Sequence, residues 1–141
     1  MNQKKIISNF ISSQMLGVVA TINKKGKPEA TLIAVTELDN LELVFGTYNT
    51  SRKYRNLIND PSVAIVIGND VEEAVTVQYE GIAEELFGEE LERCRSLHIK
   101  KHPTSEKYAF MEEERFFKVK PNWIRYSDLH ADPEVEFELR P

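Results

Sequence analysis

A mainly β fold with a few flanking helices, a small antiparallel barrel, is predicted by three observations. About six or seven short apolar or β-branched runs recur along the chain, each bounded by Gly, Pro, Asn or Asp. The first three runs follow one another closely enough to be read as an antiparallel meander with two hairpins in quick succession. The length of 141 residues, with 41% hydrophobic and 29% charged residues, fits one soluble domain able to bury a substantial core.

Taken in order, residues Asn2 to Gln14 predict an amphipathic helix, because Ile6, Ile7, Phe10 and Ile11 recur at helical spacing. Leu16 to Ile22 is β-branched and apolar, which predicts a buried strand, and Asn23 to Pro28 carries turn chemistry. A second strand is expected over Ala30 to Thr36 and a third over Leu41 to Gly46, with a turn at Asp39-Asn40. Ser51 to Asn59 reads as a short helix stopped by Asp60-Pro61. Val63 to Ile67 is apolar throughout, which predicts burial on both faces. Ala74 to Leu86 alternates in part, with Val75, Val77 and Tyr79 on one side. A helix is expected from Gly88 to about His98, then a short helical piece over Ser105 to Phe110. Arg115 to Lys120 and Trp123 to Ser127 predict a final hairpin around Pro121-Asn122. Residues 1 to 130 form a single domain on this reading. The acidic tail from Ala131 to Pro141 is either an edge strand or disordered.

The charge balance, 18 cations against 23 acids, gives a net charge of −5. Such a chain lacks the basic footprint of a nucleic-acid binder, so any phosphate site must be local. No apolar run is long enough to span a membrane, and the N-terminus has no apolar core followed by a cleavage site. One cysteine, Cys94, excludes an internal disulfide. Cytoplasmic residence is the expectation.

The chemistry concentrates after the third strand, in Phe45-Gly46-Thr47-Tyr48-Asn49-Thr50-Ser51-Arg52-Lys53. N–H groups at a helix start lack intrahelical partners and carry partial positive charge, so they attract anions. Thr47, Thr50 and Ser51 offer hydroxyls, and Arg52 and Lys53 full charges. The competing account is that Ser51 only caps the helix and two solvated cations follow it. The residues alone leave both open.

The order of these pieces resembles the flavin-mononucleotide-binding split-barrel family that includes pyridoxamine 5'-phosphate oxidase. The matching parts are Phe45, Thr47, Ser51-Arg52-Lys53, Asp60-Pro61, the strand ending Gly81-Ile82-Ala83-Glu84, and the segment Phe117 to Tyr126. The resemblance implies a split β-barrel that forms a homodimer, with FMN at the interface between subunits. It implies that Thr47, Ser51, Arg52 and Lys53 hold the phosphate, with Gly46 and Tyr48 close by. Gly46, lacking a side chain, would let a flat ligand approach the backbone. The backbone of Leu32 and Ile33 would meet the isoalloxazine edge, and Trp123 would sit against the flavin from the partner subunit, unless it is simply a core or interface tryptophan.

The chain also departs from the oxidase. Its second strand, Ala30 to Val35, has no cation, where the oxidase begins with Arg and ends with Lys. Arg125 and Asp128 persist in the last strand, but Ser127 and Leu129 replace the oxidase's His and second Arg, so another substrate is expected. The resemblance thus implies an FMN-dependent oxidoreductase acting on an unidentified small molecule. The alternatives are a non-catalytic module that binds or senses flavin, deazaflavin or heme, and a scaffold with a vestigial pocket. His98 and His102 have metal-ligand spacing but no third ligand, so a helix-end role is expected. Cys94, without a His-Asp arrangement, reads as a passive thiol, and Glu89-Glu90 and Glu112 to Glu114 as solvated faces.

Overall fold

Because β-branched and apolar residues alternate with polar ones, more of the chain is committed to strands than to helices, and the strands join into a single antiparallel sheet. The computed structural model describes residues 2–141. Its elements are α1 (Gln3–Ser12), β1 (Leu16–Ile22), β2 (Pro28–Ala34), β3 (Thr36–Glu37), β4 (Leu43–Tyr48), α2 (Arg52–Asn59), β5 (Ser62–Gly68) and β6 (Val75–Glu85). They are followed by α3 (Gly88–Lys101), α4 (Glu106–Ala109), β7 (Glu114–Asp128) and β8 (Val135–Leu139). The strand order is β2-β1-β5-β6-β7-β4-β3, with β8 added beside β7.

The two ends of that order, β2 and β3, are consecutive in the chain and separated only by Val35. The sheet therefore curls back on itself into a barrel that is split between β2 and β4. The expected single strand Ala30–Thr36 is broken at Val35 for a physical reason. The Val35 N–H donates to the Met15 carbonyl (3.1 Å), and its carbonyl accepts from His102 Nε2 (2.8 Å). The first half of the segment is left to pair with β1 and the second with β4, so the meander becomes two separate hairpins. The third strand starts two residues later than expected. Asn40 and Leu41 adopt positive φ of 59° and 64° in a short 3₁₀ turn that consumes them.

The expectation that β5 is buried on both faces does not hold within one chain. Val63, Ile65 and Ile67 point inward, whereas Ala64 and Val66 point out, with Val66 40% exposed. The expected final hairpin is likewise absent: β7 runs unbroken past Pro121 and Asn122. Gly81 pairs with Pro121 and Glu80 with Trp123, leaving Asn122 as the extra residue of a β-bulge. A bulge tolerates a residue without an N–H. The opposing position must be glycine, since a Cβ on Gly81 would lie 2.4 Å from the Lys120 carbonyl oxygen. The acidic tail contributes β8, which packs Val135, Phe137 and Leu139 on the core while Glu136 and Glu138 face outward and engage Arg125.

The barrel interior is filled by Phe45 stacked on Phe117, together with Ile65, Ile67, Tyr79 and Ile124, and it is plugged by Ile7 and Ile11 of α1. Each such fully buried side chain contributes about 2–3 kcal/mol. A second, smaller cluster lies outside β4 and β7, where α3 and α4 cover Val44, Leu86, Cys94 and Phe116. On the rest of the outer face, register aligns Leu32, Val18, Val66, Gln78 and Arg125 in one row. Ala30, Ala20, Ala64, Glu80 and Trp123 form the next. The β2, β1 and β5 side of this face is apolar, and no element among the described residues covers it.

Candidate functional site at the barrel split

Thr47 and Ser51 come together because β4 ends where α2 begins. Thr47 ends the inward-facing row of β4, and its Oγ1 lies 2.8 Å from Ser51 Oγ. Ser51 has extended backbone angles and its Oγ accepts from the Tyr54 N–H at 3.0 Å. The cap expected at Ser51 is therefore present, and the capping hydroxyl stands beside the two cations rather than instead of them.

Those cations are held differently. Arg52 is exposed and paired with Glu29 at 3.4 Å. Lys53, expected to be exposed, is half-buried, and among the described residues no carboxylate lies within 4 Å of its ammonium. Burial pulls its pKa below the usual lysine value, with Glu114 opposing from farther off. Ser51, Arg52 and Lys53 line a cavity of about 200 Å³ together with Thr21, Glu29, Ala30 and Thr31. A partly desolvated ammonium with no carboxylate within 4 Å, beside helix-start N–H groups and hydroxyls, is a donor set for an anion. The residues present therefore fit a phosphate.

Glu29 complicates that fit and was not anticipated. Its carboxylate accepts from Asn56 Nδ2 (2.8 Å) and Asn23 Nδ2 (3.1 Å), bonds that hold its pKa below the usual value. Asn56 is buried on α2 and also donates to Thr21 (2.9 Å), which locks the helix to the β1–β2 hairpin. Glu29 is thus a fixed anion at the wall of the cavity, leaving Arg52, Lys53 and Glu29 with one net positive charge. In sequence Glu29 is one acid among 23, and only the folded register brings it to Arg52.

The remaining expected residues are dispersed. Gly46 and Tyr48 lie on the opposite face of β4 from Thr47. Gly46 is not bare backbone: the Glu114 carboxylate lies 2.8 Å from where a Cβ would stand. Burial raises the Glu114 pKa, with Lys53 opposing, so this member of the expected solvated run is a half-buried group. A small cavity of about 100 Å³ here is lined by Ala34, His98, Tyr108 and Glu114. Leu32 points outward and is 60% exposed, whereas Ile33 is buried in the core and offers only backbone. β2 is hydrogen-bonded only to β1, so its other backbone edge faces the split. Ala30 and Thr31 line the first cavity and Ala34 the second, so a flat ligand along β2 would run from one to the other. Trp123 is remote: along β7 it lies eight residues, roughly 26 Å, from the residue paired with Thr47.

The histidines serve the fold. His98 Nδ1 is 2.8 Å from Thr36 Oγ1, and His102 holds Val35. Burial pushes the His98 pKa down to about 4, with His102 and Lys101 adding to the shift. Among the described residues no group of three His, Cys, Asp or Glu side chains could hold a metal ion, and no helix is long and apolar enough to cross a membrane. Cys94 is buried, and burial raises its pKa.

The sequence matches the pyridoxamine 5'-phosphate oxidase family over residues 4–128. The chain belongs to that family. No curated protein matches it. Among solved structures, a heme-binding protein from Mycobacterium smegmatis superposes with a TM-score of 0.82 at 20% identity, over 94% of this chain and 57% of the other. General Stress Protein 26 from Bacillus anthracis str. Sterne gives 0.75 at 23% identity, over 99% and 100%. The heme storage protein HutZ from Vibrio cholerae gives 0.68 at 17% identity, over 86% and 91%. Family membership fits the split barrel; at these identities the structural likenesses speak for the fold alone.

Proposed function

We propose that the chain binds a phosphorylated flavin, of which FMN is the simplest, and acts as an oxidoreductase on a small molecule. The observation that carries this reading is Lys53, half-buried beside the Thr47–Ser51 pair at the start of α2 with no carboxylate in reach. A flavin, when bound, supplies hydride or electron exchange through its own ring. Lys53, Ser51 and the α2 N–H groups bind the phosphate, and the free edge of β2 orients the ring. The apolar outer face is closed by a second copy in a homodimer, which excludes water from the ring. Its rows of Leu32, Val18 and Val66 suit an isologous contact. Trp123 lies on this same face, so it reaches a flavin only from the second copy.

The test is direct titration of the purified protein with FMN, followed by flavin fluorescence. The double variant Arg52→Ala/Lys53→Ala weakens binding at least about 100-fold, while circular dichroism stays unchanged. Unaltered affinity in a folded double variant overturns the phosphate assignment. Bleaching of bound flavin by a reduced nicotinamide separates an enzyme from a carrier.

The relatives named for heme favour a second reading, a heme-binding module. His98 and His102 are already engaged in the fold, which leaves His130, exposed in the turn after β7, as the available imidazole among the described residues. A heme Soret shift that is lost in His130→Ala, with no flavin binding, decides for that alternative.

A further inference from the structure

A half-buried carboxylate without a partner faces the cavity of about 100 Å³ over Gly46. Glu114 opens β7 opposite Tyr48, on the outer face of β4. Among the described residues no cation lies within 4 Å of its carboxylate, and no side chain donates to it. The cations that could neutralise it are engaged elsewhere. Arg115 points to the other face of β7 and pairs with Glu85. Lys101 is bound to Glu37 at 2.7 Å, and Lys107 lies over the Tyr108 ring at 4.9 Å. Lys53, whose charge reaches Glu114 only from farther off, lines the first cavity. Burying an unpaired charge costs stability, so a carboxylate held this way calls for a ligand.

The rest of the lining adds acceptors and an aromatic ring, but no positive charge. His98, with its pKa pushed down to about 4 by burial, is neutral at neutral pH. Ser105 Oγ donates its proton to the His102 carbonyl (2.7 Å), so toward the cavity it can only accept. Tyr108 lines the cavity and meets Tyr48 edge-on at 6.5 Å; both rings are about 40% exposed, 40% and 39%, and flank the opening. At roughly 30 Å³ for each water-sized group, the cavity holds a head of about three heavy atoms, with the remainder of a ligand outside. A head with several N–H donors and a positive charge matches these acceptors, and an aromatic face attracts the same charge.

We infer that the cavity over Gly46 binds a small organic cation, an amidinium or guanidinium whose N–H groups meet Glu114 and Ser105 and whose flat body rests against Tyr48 and Tyr108. Such a pocket is separate from the phosphate site and does not depend on the flavin reading. With a flavin along β2, it makes the substrate a cation and turns away phosphorylated or carboxylated molecules, which meet Glu114 with like charge.

Calorimetric titration of the whole chain with benzamidinium, benzamide and benzoate tests this, since the three share a ring and differ in the charge of the head. Benzamidinium binds at least about tenfold more tightly than benzamide, and benzoate gives no measurable heat. Glu114→Gln, which keeps the side-chain shape, erases the preference for the cation with circular dichroism unchanged. Glu112→Gln/Glu113→Gln, which alters only exposed neighbours, leaves the preference intact. In the unsubstituted protein, benzamidinium binding no tighter than benzamide overturns the inference. A preference that survives Glu114→Gln, or is lost in the Glu112/Glu113 variant, places the cation at another carboxylate and overturns it as well. FMN is titrated separately. A protein that selects the cation but binds no FMN loses the flavin reading alone, and one that binds FMN without selecting the cation loses the cation pocket alone.

Discussion

Ile65 and Val66 are neighbours on β5 and similar in chemistry, yet Ile65 is 2% exposed and Val66 40%. The two residues stand for the two faces of the sheet. On the inner face, α1 and the closing turns of the same chain cover every apolar row, so burial there is complete within one molecule. On the outer face, α3 and α4 cover only β4 and β7, and the rows through Leu32, Val18 and Val66 are left open. A run of apolar residues therefore carries two different meanings, depending on which neighbour the strand twists it toward. The inner half reports folding, and the outer half is the surface that the proposed homodimer would close.

The comparison breaks most sharply at its own defining pair. Ile65→Ala costs about 2–5 kcal/mol in urea denaturation and is independent of protein concentration. Val66→Ala costs under about 1 kcal/mol in dilute solution and acts mainly through concentration. Equal losses in the two variants would show that the faces do not differ.

The covered part of the outer face is probed by pH. His98, buried on the inner side of α3 with its pKa pushed down to about 4, is neutral in the native protein at neutral pH, while an unfolded imidazole protonates near pH 6.5. Between those values the unfolded state binds the extra proton, so stability falls as pH falls, by about 3 kcal/mol in total. Above pH 6.5 neither state is protonated and the contribution is flat. His98→Gln flattens the slope between pH 6.5 and 4; a slope unchanged in that variant assigns the acid sensitivity elsewhere.

The open part is probed by charge. If the proposed homodimer closes this face, Val66→Glu raises its dissociation constant at least about 100-fold, near 2.7 kcal/mol, as read by sedimentation equilibrium. A dimer that persists locates the association surface somewhere other than this face. The smallest effect belongs to the turn that joins β4 to α2. Ser51→Ala removes the cap on Tyr54 and costs about 1 kcal/mol, with a parallel loss of FMN affinity. A stability loss without an affinity loss leaves Ser51 as a cap only.

Much of this molecule was legible in its residues. β1 occupies Leu16–Ile22 as expected, Ser51 caps α2, and Asp60-Pro61 ends it. These are local events, governed by propensity, capping and turn chemistry within a few residues. The errors fall where distant groups intervene. Val35 leaves its strand because Met15 and His102 bind its backbone. Pro121-Asn122 fails to turn because Gly81 of β6 gives a bulge room to form. Glu29 and Glu114 were invisible as site residues, since each is one acid among many until the register places it beside Arg52 or over Gly46.

By itself, then, the order of amino acids determined the family, the strand-forming runs and the local turn that gathers Thr47, Ser51, Arg52 and Lys53, because propensity, capping and turn chemistry act over a few residues. Only the tertiary structure decided that Lys53 is half-buried with no carboxylate within 4 Å, that Glu29 stands in the cavity wall, and which half of each apolar strand is left facing outward. Desolvation and charge pairing are properties of a neighbourhood, and a neighbourhood exists only once the chain has closed on itself.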